Sequence, residues 1–273
     1  MTKPNAPLSL AFRPFGNSLA RASGDGNALP MAETHFDAWI ASRYRTLWPE
    51  IFEPSLLDAA VDFLADLTQG EPALELGIGT GRIALPLSRR GVPVHGIDLS
   101  PAMVAELREE APDAGVDVTI GDFATTAVDA TFRLVYLLRN TITNLTTQDE
   151  QVACFRNASH HLEPGGFFVI ETYIPELRRL PPGETSQVFT ATPTHIGVGE
   201  YDVAKQIEVS RHWWVIDGAL EAFSSSHRYV WPSELDLMAR IAGMTLRERW
   251  SDWYRAPFTS ESRSHISVWQ ASA

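Results

Sequence analysis

The chain has 273 residues, 44% of them hydrophobic and 21% charged, which suits a large buried core and excludes a disordered polar chain. Its formal charge of -12 repels nucleic acid, and the Arg-Arg pairs at 89–90 and 178–179 are too isolated to reverse that field. The single cysteine, Cys154, excludes an internal disulfide framework and reads as an inert buried thiol, and no stretch approaches membrane-spanning length. These features predict a cytoplasmic globular protein with no nucleic-acid or membrane partner.

In chain order, residues 1–30 are polar and rich in glycine and proline and read as an arm or flap. A first helix is expected over 33–47, carrying Phe36, Trp39, Ile40 and Tyr44. Pro54 opens a second helix whose apolar residues recur at helical spacing from Leu56 to Leu67, and Gly70 closes it. ALEL (73–76) is a strand, and RIALPLSRR (82–90) a helix opened by a glycine turn. VPVHGID (92–98) is the second strand, and Ser100-Pro101 caps the helix that follows. VDVTI (116–120) and FRLVYLL (132–138) are the third and fourth strands. TQDE (147–150) is a capping box for QVACFRNASHHL, and Pro164-Gly165-Gly166 turns the chain into the fifth strand, FFVIETY (167–173). Near-continuous apolar strands alternating with helices predict a parallel sheet covered on both faces.

Beyond Tyr173 the pattern changes. Residues 205–216 and 219–231, joined by Asp217-Gly218, read as a β-hairpin carrying Trp213, Trp214, Phe223, Tyr229 and Trp231. Pro232 then opens a helix, and 244–250 and 265–270 complete the sheet. The expected organisation is an N-terminal arm and helix over 1–50, a core over 51–175, a substrate-covering insert over 176–231, and a completion of the core over 232–273.

The turn Glu75-Leu-Gly77-Ile-Gly79-Thr-Gly81 carries the chemistry. Glycines there allow a tight turn, close approach of a ligand to backbone, and close strand-to-helix packing. The phosphate-binding GxxxxGK[ST] loop is excluded because no lysine is near, and the third glycine arrives one residue early for the dinucleotide fingerprint GxGxxG. Three carboxylates stand at three successive strand ends: Glu75 beside the turn, Asp98 after the second strand, and Asp122 in GDF after the third. A carboxylate at such a place accepts from ribose hydroxyls, an adenine amino group or an ammonium, or it caps a loop. A ligand with all three groups and no pyrophosphate suits them better than NAD.

ELGIGTGRIALPL, GIDLS, GDF and LEPGGFFVIE together resemble the class I S-adenosylmethionine-dependent methyltransferases, over residues 70–175 and, in rhythm, to the C-terminus. The resemblance implies a Rossmann-like α/β fold with a seven-stranded, mostly parallel sheet whose last strand is antiparallel, here with an N-terminal helical arm and an inserted hairpin cap. It implies S-adenosyl-L-methionine as co-substrate and S-adenosyl-L-homocysteine as product. By resemblance, Gly77, Gly79 and Gly81 cradle the methionyl part, Glu75 meets its ammonium, Asp98 and Leu99 hold the ribose, and Asp122 and Phe123 contact adenine. Asn140 and Thr141 are placed to face the methionine end, Arg139 to do so or to pair with a nearby carboxylate, and Tyr44 to reach the cofactor from the first helix. The place after the fourth strand reads LLRNTITNL (137–145) rather than the [DN]PP[YFW] of nucleic-acid amino methylases.

Methyl transfer from a sulfonium needs alignment above all, and a base only where the nucleophile must lose a proton. The substrate-side candidates are Glu171 and Tyr173, at the end of the fifth strand, and the hairpin histidines His212 and His227. Glu171 reads equally as a structural acceptor for loop amides, and the histidines as packing residues. The scattered histidines predict no metal site. The leading expectation is methyl transfer to a nitrogen of a small metabolite by a monomer or homodimer. The alternatives are an O- or C-methyltransferase for an aromatic or carboxylate metabolite, and a non-catalytic nucleoside-binding scaffold.

Overall fold

The computed structural model describes residues 35–272, so the expected arm over 1–30 lies outside the described residues. Within them the chain forms two compact units, one of residues 35–176 and 228–272 and one of residues 177–227.

The larger unit opens with two short helices, α1 (Ala38–Ala41) and α2 (Tyr44–Leu47), where one continuous helix was expected. Asp37 caps α1 by accepting from the Ile40 amide, and the chain turns at Arg43, whose backbone leaves the helical region before Tyr44. Helix α3 (Pro54–Thr68) has its proline in the first turn, as expected, but its left-handed closing residue is Gln69, with Gly70 one place beyond. Then come β1 (Ala73–Leu76), α4 (Ala84–Arg89), β2 (Val94–Asp98), α5 (Pro101–Glu110), β3 (Asp117–Ile120) and β4 (Phe132–Leu137). Ser100 accepts from the Met103 amide to start α5, and Thr147 and Glu150 form the reciprocal capping box of α6 (Gln148–His161). Strand β5 (Leu162–Tyr173) begins directly after α6 and takes in Pro164-Gly165-Gly166, which the sequence reading placed in a turn.

The smaller unit is a four-stranded antiparallel sheet, β6 (Ser186–Ala191), β7 (His195–Asp202), β8 (Ile207–Ile216) and β9 (Ala219–Arg228) in that order. The expected hairpin is therefore half of a sheet. Its Asp217-Gly218 turn has both residues at positive φ, as a two-residue hairpin loop requires. Strand β9 stops at Arg228, so Tyr229 and Trp231 fall outside the hairpin expected to carry them.

Helix α7 (Pro232–Ile241), β10 (Met244–Trp250) and β11 (Ser264–Ala271) close the larger unit. Its seven strands run β10-β11-β5-β4-β1-β2-β3. Strands β1 to β5 pair in parallel, and β11 lies antiparallel between β5 and β10. The core lies in two clusters, one on each sheet face. Leu74, Leu76, Val135 and Leu137 face Phe155 of α6 and Met238 of α7, while Ala73, Leu134 and Tyr136 face Phe63 and Leu64 of α3 and Leu85 of α4. Alternate residues of β1 and β4 thus feed opposite clusters, as the period-two geometry of strands dictates. The chain order reverses between β1 and β4, and in open α/β sheets ligands bind beyond the carboxyl ends of the strands at such a switch point.

Candidate active site

The glycine turn leaves β1 at that switch point. Gly77, Gly79 and Gly81 all have positive φ, which other residues adopt only under strain. Two of them also make room for neighbours. A Cβ on Gly77 would stand 2.7 Å from the Thr141 methyl, and one on Gly81 would stand 2.8 Å from Leu107 of α5. The first glycine thus admits the loop after β4, and the third lets α5 close on the turn. At Gly79 the nearest obstacle to a Cβ is the end of the Met103 side chain at 3.3 Å, and the Gly79 amide is fixed by Asp98.

Asp98 ends β2 with both carboxylate oxygens engaged. Oδ2 accepts from the Gly79 amide at 2.7 Å and Oδ1 from the Ser100 amide at 2.8 Å. Burial raises its pKa, and these two amides pull the other way. Leu99 is half-buried between Asp98 and the α5 cap. Ser100 Oγ donates to the Phe36 carbonyl at 2.5 Å, which ties the N-terminal segment to the rim. Tyr44 follows from that tie. It packs against Phe36, Trp48 and Phe52, and its hydroxyl titrates under the influence of burial first, then Arg82, Arg139, Asp98 and Glu50. A residue called from the first helix is therefore brought to the switch point.

Glu75 is almost fully buried. Burial pushes its carboxyl up to about 8, against the Tyr136 hydroxyl, which donates to Oε2 at 3.0 Å, and against the nearby Arg82. Arg82 and Tyr136 stand beside Glu75, and sequence reasoning did not single them out. An arginine after a glycine turn reads as surface, and a tyrosine in an apolar strand reads as core.

Just after β3, Asp122 Oδ1 accepts from the Ala124 amide at 2.8 Å, an Asx turn. Phe123 is buried in the core cluster, and Asn157 donates to its carbonyl at 2.8 Å. Beyond β4, Arg139 and Asn140 both take positive φ. Glu171 holds this loop: Oε2 accepts from the Arg139 amide and Oε1 from the Trp253 indole, each at 3.0 Å. Asn140 Oδ1 accepts from the Tyr173 amide at 2.9 Å, so the β4 and β5 ends are laced together. The Glu171 side chain thus accepts from one loop amide and one indole.

The histidines belong to the smaller unit. His212 lies in a ring stack with His195 and Trp214, its Nδ1 paired with His195 Nε2 and its Nε2 with Ser210 Oγ, both at 2.9 Å. Burial, then His195, lowers its pKa to about 4. His227 Nε2 pairs with Ser225 Oγ at 2.7 Å on one face of β9. Cys154 is buried, and burial drives its thiol far upward. Among the described residues no three histidine, cysteine, aspartate or glutamate side chains are grouped to hold a metal, and no helix is long and apolar enough to cross a membrane.

This donor set suits an adenosyl amino acid. The buried Glu75 calls for a cation, and Asp98 and Asp122 beyond β2 and β3 offer acceptors. Comparison with known proteins agrees. A family profile described as a methyltransferase domain matches residues 73–166. The solved CcbJ methyltransferase of Streptomyces caelestis is 37% identical, with 86% of this chain and 96% of that one covered at a TM-score of 0.77. The cypemycin N-terminal methyltransferase of a Streptomyces species is 28% identical over 210 residues, 73% of this chain and 82% of that protein. CalS10, an amino pentose methyltransferase from Micromonospora echinaspora, shares the fold at 22% identity and a TM-score of 0.62, with 89% of this chain and all of that one covered. The chain belongs to the class I S-adenosylmethionine-dependent methyltransferases. It is an enzyme with S-adenosylmethionine as its co-substrate.

Proposed function

We propose that the protein methylates a nitrogen of a small metabolite. The observation that carries this reading is Glu171, the carboxylate at the substrate end of β5, whose two oxygens already accept from Arg139 and Trp253. An amine that arrives neutral needs no base, whereas a phenol or carbon acid benefits from one. The relative that methylates the N-terminus of cypemycin supports the same acceptor class.

Bound S-adenosylmethionine supplies an activated methyl carbon, which the amine lone pair takes as the C–S pair returns to sulfur, and the new ammonium then sheds its proton to water. The chain's part is alignment. Glu75 receives the ammonium of the methionine end, Asp98 and Leu99 hold the ribose, and the Asp122–Phe123 corner takes adenine. Arg139, Asn140 and Tyr44 border the reacting end. Glu171 and Tyr173 act as positioning residues, by fixing the loop after β4 and by joining it to β5. The net charge of -12 supports an acceptor other than nucleic acid and accords with a cytoplasmic monomer or homodimer.

Incubation with labelled S-adenosylmethionine and panels of amines, phenols and carboxylic acids tests the reading. N-methyl products support it. Methyl groups found only on oxygen or carbon would replace it with the second acceptor class, and binding without turnover of any panel would favour a scaffold.

A further inference from the structure

Tyr136 has no exposed surface and packs in the apolar cluster with Leu64, Ile83 and Leu134. A phenylalanine would fill that space, and a buried hydroxyl is costly unless it is bonded. Its partner is Glu75. The two residues face each other across the parallel β1/β4 ladder, so register alone sends both side chains to one face, where the hydroxyl donates to Oε2 at 3.0 Å.

We propose that Tyr136 is a positioning residue for the amino-acid end of the cofactor: its hydroxyl fixes the Glu75 carboxylate to receive an α-ammonium group, and the carboxyl releases its proton to solvent as that ammonium arrives. The inference rests on the role of Glu75 given above. The O–H bond of the carboxyl breaks, the proton passes to bulk water, and the ammonium keeps its own protons. The groups facing Glu75 from the surrounding elements are Tyr136 of β4, Arg82 of the glycine turn, Asp98 of β2 and the backbone of Ala84 in α4. Tyr136, Arg82 and Ala84 favour the charged carboxylate, and burial and Asp98 oppose it, with burial the largest influence. The carboxyl with its partners as they stand is thus poised for a cation to tip the balance.

The test is calorimetric titration of the whole chain with S-adenosylhomocysteine and with methylthioadenosine, which lacks the amino-acid end, in buffers of different ionisation enthalpy. Between about pH 6 and about pH 8 the first ligand should bind with proton release and gain up to about tenfold in affinity per pH unit, and the second should show neither. Glu75→Gln should abolish the proton release. Tyr136→Phe should move the whole profile up by about one pH unit, weakening S-adenosylhomocysteine about tenfold near neutrality and sparing methylthioadenosine. A tyrosine that only filled space would instead leave both affinities and the pH profile unchanged on conversion to phenylalanine. Equal pH slopes for the two ligands, or no proton release by the unsubstituted protein, would overturn the inference without touching the cofactor assignment. Failure of both nucleosides to bind would overturn the role of Glu75 and this inference with it.

Discussion

The Gly79 amide donates to Asp98 Oδ2 at 2.7 Å, so the middle glycine of the turn is held by the carboxylate that ends the neighbouring strand. Oδ1 serves the Ser100 amide, and both oxygens must therefore accept. Asp98→Asn can satisfy only one of these amides, because its NH2 group donates. Both Asp98→Asn and Asp98→Ala should weaken S-adenosylmethionine binding, by about 1–3 kcal/mol, with the asparagine close to the alanine. Calorimetry checks this, and an asparagine variant that binds like the parent would remove the two-acceptor role.

Gly96 in β2 has an ordinary φ and is still irreplaceable by size. A Cβ there would lie 2.7 Å from Ile78 Cβ and Cγ2, in the residue that follows Gly77. Gly96→Ala should cost about 1–3 kcal/mol by overpacking, read from the denaturant midpoint. Adding Ile78→Ala should recover part of that loss, so the double variant should be more stable than the sum of the single changes implies.

If Glu171 acts by holding the rim, Glu171→Gln forfeits one of its two acceptors and should lower stability by about 1–3 kcal/mol. Trp253→Phe, which removes the indole donor, should lower stability in the same direction. In both variants kcat should keep the parent's pH profile. Loss of an acidic limb from that profile, with a rate drop of about a hundredfold or more, would instead make Glu171 a general base.

Glu75 also sets a pH dependence of stability in the absence of ligand. Its carboxyl stands at about 8 in the fold against an ordinary 4.5, so the folded chain binds more protons between those values. Stability from this group is therefore complete below about 4.5, falls by at most about 1.4 kcal/mol per pH unit as pH rises towards 8, and is level above. The difference between denaturation curves of the parent and Glu75→Gln across pH isolates it, and a flat difference would contradict the assignment. His212 and His265 carry the opposite sign. Burial first lowers them to about 4 and about 3, so they withdraw stability as pH falls from 6.5 towards those values.

The larger unit was legible because its signals are local. Ser100-Pro101 and Thr147-Glu150 are caps that act within one turn of helix, and the three turn glycines have no other economical use. Strands β6 and β7 were missed. SQVFTA is mostly exposed, and HIGVGEYD carries Gly197 and Gly199, which blank its alternation. At the site, the carboxylates could be read from their places at strand ends, but which donors they serve depends on register and loop closure. Tyr136 reaches Glu75 only because β4 pairs with β1, and Trp253 reaches Glu171 across 82 residues of chain.

The hydrogen that Gly77 carries in place of a side chain is where the Thr141 methyl nests. The two walls of the crevice therefore mesh like a tooth and its notch, and the opening cannot be widened from the glycine side. Any enlargement at this point of the rim has to begin at Thr141, where trimming to serine would free the notch without disturbing the turn.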